Sequence, residues 1–184
     1  MAMTTASTPQ KKPDTLLRGV TSLAQVQHLS GLEFMQGMLS GRFPPAPIAR
    51  ALKYEMTEVE HGRAVFEGVP EFDFYNPIGI VHGGYAATLL DSCMGCAVHS
   101  VLLPGQGYTT LELKINYVRA MSDQTGRVRA QGRVIHPGKR VATAEGHIFD
   151  TKGKLLAHGT TTCLVFPIEA EHKTPADRID RSAG

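Results

Sequence analysis

The sequence predicts an α+β fold in which an antiparallel β-sheet packs on a long central α-helix. Residues 83–103 are apolar nearly all round, so a helix formed there is buried on most of its surface. Six shorter segments, two before this helix and four after it, alternate apolar and polar residues as half-buried antiparallel strands do. A helix that is apolar on every side needs a sheet to cover it, which gives the α+β class.

Length and composition fit one compact domain. The chain has 184 residues, of which 42% are hydrophobic and 20% charged. We expect a single domain over residues 21–168, with a disordered tail over residues 1–20 and a mobile tail over residues 169–184, because both ends lack apolar periodicity. The formal net charge of +2 gives no support to a nucleic-acid partner.

Before the central helix the sequence predicts a short amphipathic helix and a hairpin. Ser30 and Glu33 have the spacing of a capping box, and apolar residues then recur at helical spacing. Residues 52–57 and 63–69 alternate in polarity on either side of a turn that ends at Gly62. The apolar positions of the helix are Leu32, Met35, Met38 and Leu39.

After the central helix the sequence predicts four more strands joined by tight turns. Pro137 and Gly138 in one connection, and Asp150 and Gly153 in the next, are residues that hairpin turns favour. The four strands are predicted over residues 108–119, 127–135, 141–149 and 155–166.

Asp91 is the only Asp, Glu, Lys or Arg between Phe74 and Leu111, and it lies in the middle of the apolar helix. A buried carboxylate is costly unless a partner, a shifted pKa or a chemical task accounts for it. The alternative is a narrow solvent-facing stripe that Asp91 shares with Ser92. Periodicity alone leaves both interpretations open.

The segment that leads into this helix has the composition of an anion-binding turn. Gly83 and Gly84 allow a ligand to approach free backbone N–H groups, and the helix dipole adds partial positive charge there. The alternative is that the glycines only form a tight turn and that His82 caps the helix.

Asn76, the run from His82 to Gly84, and Asp91 together resemble the signature of the hotdog-fold thioesterases. The resemblance is to the PaaI-like (phenylacetic acid degradation type) branch of the 4-hydroxybenzoyl-CoA thioesterase superfamily, and it extends over about residues 45–166. It implies a hotdog fold, with an antiparallel β-sheet wrapped around a long central α-helix. It also implies homodimers that pair their sheets edge to edge and commonly assemble into homotetramers.

The resemblance implies an acyl-CoA thioesterase that hydrolyses an aryl- or fatty acyl-CoA to the free acid and CoA. Asp91 would be the general base or nucleophile, and the backbone N–H of Gly83 would polarise the thioester carbonyl. Asn76 and His82 would orient the carbonyl or the attacking water. No cofactor is expected, because coenzyme A is part of the substrate.

Helix geometry adds a constraint that does not depend on the resemblance. Gly83 and Asp91 are eight residues apart, which places them about 12 Å apart along one helix. Both groups must reach the reacting atoms, so a site that uses both takes them from two chains. We therefore expect an inactive monomer.

The remaining candidate site residues follow the helix. A hydroxyl residue early in the next strand often assists in such enzymes, and Thr110 is the best match, with Thr109 as the alternative. Lys139 and Arg140 in one turn, and Arg119 at a strand end, could hold the phosphates of CoA. The alternative is that these charges are simply solvated.

Cys93 and Cys96 have the C-x2-C spacing, but no second pair completes a metal site, so we expect helix packing and no metal. The odd number of cysteines and the polar N-terminus favour a cytoplasmic protein without a membrane span.

Two other functions remain open at this point. A hotdog dehydratase or hydratase would use a His and an acid, for which His82 and Asp91 are available. A non-catalytic acyl-CoA binding module is the other. The sequence does not indicate the acyl group, because the side chains that would shape its pocket cannot be placed: Phe74, Tyr85, Met94 and Tyr117.

Overall fold

The computed structural model describes residues 20–168, and it has the predicted α+β architecture. Apart from residue 20, the two predicted tails lie outside the described residues. Two single-turn 3₁₀ helices cover Phe72–Phe74 and Asp123–Thr125. The helices are α1 (Leu23–Val26), α2 (Gly31–Leu39), α3 (Pro47–Ala51) and α4 (Gly83–His99). The strands are β1 (Tyr54–Glu60), β2 (Arg63–Gly68), β3 (Gln106–Tyr117), β4 (Val128–His136), β5 (Val141–Asp150) and β6 (Leu155–Pro167).

The six strands form one antiparallel sheet in the order β1-β2-β4-β5-β6-β3. β1 and β3 are its edge strands, and the twelve residues of β3 follow directly on α4 in the chain. The sheet covers α4, whose fully buried residues include Leu89, Leu90 and Met94. This is the predicted hotdog arrangement, with the core between the central helix and the sheet.

Strand β4 approaches α4 at van der Waals distance. A Cβ added to Gly132 would lie 2.2 Å from the carbonyl oxygen of Cys93 and 2.6 Å from the backbone nitrogen of Met94. Real Cβ atoms essentially never come this close to another heavy atom, so only glycine fits there. The sheet therefore rests on the helix backbone at this point.

The predicted capping box of α2 is confirmed. The Ser30 hydroxyl accepts a hydrogen bond from the Glu33 backbone N–H (3.3 Å), and the Glu33 carboxylate accepts one from the Ser30 backbone N–H (2.8 Å). Helices α1 and α3 were not predicted. They have four and five residues, which is too short for apolar periodicity to appear.

The predicted end of the central helix at residue 103 is wrong, because α4 ends at His99. The hydroxyl of Ser100 donates to the Ala97 carbonyl and accepts from the Gly62 backbone N–H, both at 2.7 Å. These bonds fix the end of the helix to the β1–β2 turn. No helix among residues 20–168 is long and apolar enough to cross a membrane.

The imidazole of His99 makes folding dependent on pH. Its ring lies between Phe34 and Tyr108, at centroid distances of 5.7 and 5.5 Å, and burial lowers the pKa of His99 to about 4. The unfolded chain binds a proton at His99 at higher pH than the folded chain does. Stability is therefore lost as the pH falls from about 6.5 towards 4.

We expect wild type to lose about 2 kcal/mol more stability between pH 7 and pH 4.5 than His99→Gln, which has no group to protonate at this position. Urea unfolding of both proteins at the two pH values measures the difference. Equal losses would show that protonation of His99 does not oppose folding.

Candidate active site

The side chain of Asn76 shapes the loop that leads into α4. Its Oδ1 accepts hydrogen bonds from the backbone N–H groups of Ile78 (3.1 Å) and Ile80 (3.3 Å). The loop turns at Gly79, which has a φ of +88°. The Asn76 side-chain amide nitrogen has no hydrogen-bond partner among the described residues, so it is available to donate to a ligand.

His82 caps α4, as the second of the two sequence interpretations proposed. Its backbone N–H donates to the Phe74 carbonyl (2.7 Å), and its Nδ1 accepts from the Gly84 backbone N–H (2.8 Å). Because Nδ1 accepts, the neutral ring carries its proton on Nε2. The exposed His82 ring therefore has a donor that the cap does not use.

The first N–H of α4 is the one the cap leaves unpaired. The Gly84 N–H donates to His82 Nδ1, and the Tyr85 N–H donates to the His82 carbonyl (3.0 Å). The Gly83 N–H donates to no acceptor among residues 20–168. A free N–H at the positive end of a helix dipole is a suitable donor for a developing oxyanion.

Tyr117, at the end of β3, braces this helix start, a contact that the sequence did not reveal. Its hydroxyl donates to the Gly83 carbonyl (3.2 Å), and a Cβ on Gly83 would lie 3.1 Å from the ring. The absence of a side chain at Gly83 thus has a packing reason.

Asp91 has a hydrogen-bond partner and is exposed in the single chain. The Thr110 hydroxyl donates to Asp91 Oδ1 over 3.0 Å. The solvent-facing interpretation is therefore the correct one for a single chain, and Asp91 needs no compensation for burial. Thr110 rather than the exposed Thr109 is the hydroxyl residue that meets it.

Within one chain the candidate residues form two separate groups. Asn76, His82 and Gly83 lie at the start of α4, and Asp91 with Thr110 lies two turns further along. Both groups are on one continuous helix, so the separation of about 12 Å expected from the sequence applies. A single chain does not bring them to one reacting carbonyl.

Apolar side chains next to both groups in the chain are exposed. Ile78, in the loop before α4, is 83% exposed, and Leu111, which follows Thr110 in the edge strand β3, is 59% exposed. A long edge strand with unpaired backbone groups and apolar neighbours is a surface that proteins usually cover.

The three cations proposed for the CoA phosphates do not lie together in one chain. Lys139 and Arg140 are exposed in the β4–β5 turn. Arg119 follows β3, and its guanidinium donates to the Leu155 carbonyl (2.7 Å) at the start of β6, at the opposite end of the sheet. One nucleotide could contact both groups only across two chains.

The cysteines are packing residues, as expected. All three are free, and Cys93 and Cys163 are fully buried. Burial raises the pKa of Cys96 to about 12, so its thiol stays protonated at neutral pH. No group of three or more metal-ligating side chains occurs in the described part of the chain.

The residues expected to shape the acyl pocket are only partly available for that role. Tyr85 and Met94 are buried in the core, and Phe74 stacks on Tyr85 at a centroid distance of 5.0 Å. Burial raises the pKa of Tyr85 to about 12, and its hydroxyl has no hydrogen-bond partner among the described residues. Of the four, Tyr117 is the one that is exposed.

Comparison with known proteins identifies the family. The sequence profile of the thioesterase superfamily matches residues 78–157, which include Gly83, Asp91 and Thr110. A 1,4-dihydroxy-2-naphthoyl-CoA hydrolase of Listeria monocytogenes is 30% identical over 111 residues, covering 60% of this chain and 89% of that protein. The proofreading thioesterase EntH of Klebsiella pneumoniae is 29% identical over 53% of this chain and 70% of its own length.

A solved structure agrees with the sequence relatives. A variant of the phenylacetic acid degradation protein PaaI from Thermus thermophilus is 28% identical with a TM-score of 0.59, covering 65% of this chain and 98% of that one. The fold and the profile together define a hydrolase that acts on thioesters. The chain belongs to the thioesterase superfamily, and the predicted resemblance to its PaaI-like branch is confirmed.

Proposed function

We propose that the protein hydrolyses an acyl-CoA thioester to the free acid and CoA, at a site shared between two subunits of a homodimer. The observation that carries this is the pair of half-sites on α4: a free Gly83 N–H at its start, and Asp91 bonded to Thr110 two turns further on. Each half supplies a group that the other lacks, and one helix cannot bring both to the same carbonyl.

The first half-site would bind the thioester carbonyl. The Gly83 N–H, the Asn76 amide and His82 Nε2–H are the donors left unused at the helix start. An oxyanion donor of this kind contributes about 3 to 4 kcal/mol to the transition state, because it is already oriented before charge develops.

The second half-site would supply the reacting carboxylate. Asp91, as general base, would take a proton from a water that attacks the carbonyl carbon; as nucleophile, it would attack that carbon and form an anhydride that water then hydrolyses. In both routes the sulfur leaves as the CoA thiol. The Thr110 hydroxyl fixes the orientation of Asp91 by donating to it.

Pairing of the β3 edges would bring the two half-sites together. β3 carries Leu111 and the bond to Asp91, and its end contacts Gly83 through Tyr117, so a partner along this edge would lie beside both groups. Such a contact buries exposed apolar side chains and pairs free backbone groups. We propose a homodimer as the minimal unit and a dimer of dimers as the complete assembly.

CoA would enter as part of the substrate, with no separate cofactor. Lys139 and Arg140 of one subunit and Arg119 of the other are the proposed contacts for its phosphates. An aryl or fatty acyl group is the proposed acyl class, supported by a relative named as a naphthoyl-CoA hydrolase.

The shared site predicts that two inactive variants restore activity when mixed. Asp91→Asn and His82→Ala damage different half-sites, so a mixed dimer contains one intact site and one doubly damaged site. Random exchange after co-refolding should restore about a quarter of the wild-type rate of thiol release from aryl- and acyl-CoA esters.

Each variant refolded alone is the control and should stay inactive. Differently tagged subunits show by co-purification that mixed dimers formed. Mixed dimers without activity would contradict a site shared between subunits.

A further inference from the structure

A cavity of about 550 Å³ lies beyond the C-terminal end of α4, away from Gly83. It lies between the N-terminal helical segment, the start of β3 and the end of β6, and it is open on one side. Its volume lies in the range of small-molecule pockets. Its walls include Leu23, Val26, Phe34, His99, Tyr108 and Phe166.

The lining of this cavity carries no charged side chain among the described residues. It contains no Asp, Glu, Lys or Arg. The His99 side chain has no hydrogen-bond partner within residues 20–168, and burial lowers its pKa to about 4, so it is uncharged at neutral pH. These walls favour an apolar, uncharged occupant.

The cavity continues the row of residues that begins at Asp91. On α4, Asp91, Gly95 and His99 follow one another at intervals of four residues and so lie on one face. On β3, Tyr108 lies two residues before Thr110, on the same face of the strand.

Tyr108 lies at the boundary between Asp91 and the cavity. A Cβ on Gly95 would be 2.7 Å from the Tyr108 hydroxyl, and the Tyr108 ring lies 5.5 Å from that of His99. The ring of Tyr108 therefore lies between the cavity and the turn of α4 that carries Asp91, and an acyl chain that joins the two must pass this ring.

We propose that this cavity receives the distal end of an unbranched, uncharged acyl chain whose thioester lies at Asp91 of the same subunit. The proposal rests on the proposed function and specifies its substrate class. Asp91 and His99 are about 12 Å apart along the helix. An extended chain advances about 1.2 Å per bond, as the peptide backbone does, so about ten bonds reach the cavity. A benzoyl or naphthoyl group ends short of it.

Filling the cavity tests the proposal. Val26→Trp places a large side chain in the cavity, and Ala24→Trp places the same residue on the exposed face of α1 as the matched control. We expect Val26→Trp to lower kcat/KM for palmitoyl-CoA by about tenfold or more, with kcat/KM for hexanoyl-CoA unchanged. Ala24→Trp should change neither. If Val26→Trp does not fold, Leu23→Phe fills the same space with a smaller change.

The outcomes separate this inference from the proposed function. Equal loss with both esters, or wild-type hydrolysis of benzoyl-CoA but not of palmitoyl-CoA, would overturn the cavity assignment alone. If folded wild type cleaves no thioester, the proposed function fails. Calorimetric titration with palmitoyl-CoA then tests whether the cavity binds the acyl chain. Weaker binding by Val26→Trp than by Ala24→Trp supports this assignment, and equal binding overturns it.

Discussion

Asp91→Asn is expected to lower kcat/KM for acyl-CoA hydrolysis by about a hundredfold or more. Asparagine has nearly the same shape as aspartate, but it cannot take a proton from water and cannot attack a carbonyl. Its side-chain oxygen can still accept the hydrogen bond from Thr110, so the geometry is retained while the chemistry is lost. Thiol release from a panel of aryl- and acyl-CoA esters, followed with a disulfide dye, measures the change.

Glu145→Gln, which removes a carboxylate away from the candidate site, is the matched control. Glu145 is exposed on β5, where its neighbours Ala144 and Gly146 are buried, and its replacement should leave the rate unchanged. The melting temperature of Asp91→Asn should stay close to that of wild type, because asparagine keeps the shape of aspartate and still accepts the hydrogen bond from Thr110. An Asp91→Asn enzyme with full activity would exclude Asp91 from the reaction. A folded wild type that binds acyl-CoA without cleaving it would favour a binding module.

Gly132→Ala is expected to destabilise the contact between strand β4 and helix α4 strongly. The new Cβ would lie 2.2 Å from the Cys93 oxygen, 2.3 Å from its carbonyl carbon and 2.6 Å from the Met94 nitrogen. All three are backbone atoms of α4, so relief requires β4 and the helix to move apart. We expect a loss of about 3 kcal/mol or more in the free energy of unfolding, measured by urea denaturation.

Gly153→Ala is the control for Gly132→Ala, because it measures the cost of backbone strain without a close contact. Gly153 has a φ of +74° and no atom within 4 Å of an added Cβ, so alanine there costs only about 1 kcal/mol for its conformation. A Gly132→Ala protein as stable as Gly153→Ala would show that β4 can move away from α4 at little cost.

The elements that could be predicted from the sequence are those whose signals are local. Alternation of polarity gave the six strands, Ser30 and Glu33 gave the start of α2, and Asp150 and Gly153 gave a turn, because each pattern reports interactions within a few residues. The short helices α1 and α3 were missed, because four and five residues are too few for apolar periodicity to appear. The end of α4 at His99 was misplaced, because it depends on a contact with a distant segment, the hydrogen bond from the Gly62 N–H to Ser100.

The candidate site, too, was predicted from the sequence in part. The spacing of Asn76, His82, Gly83 and Asp91 indicated the family and predicted a site built from two chains, because helix rise alone fixes the separation of Gly83 and Asp91.

The residues packed around that site could be identified only from the folded chain. Pairing within the sheet placed Arg119 and Lys139 at opposite ends, and it brought Tyr117 against Gly83. The cavity beside His99 is lined by three stretches that are far apart in the sequence, within residues 23–34, 99–108 and 166–168. Periodicity describes which face a residue occupies, but a cavity exists only where separate elements fail to fill the space between them.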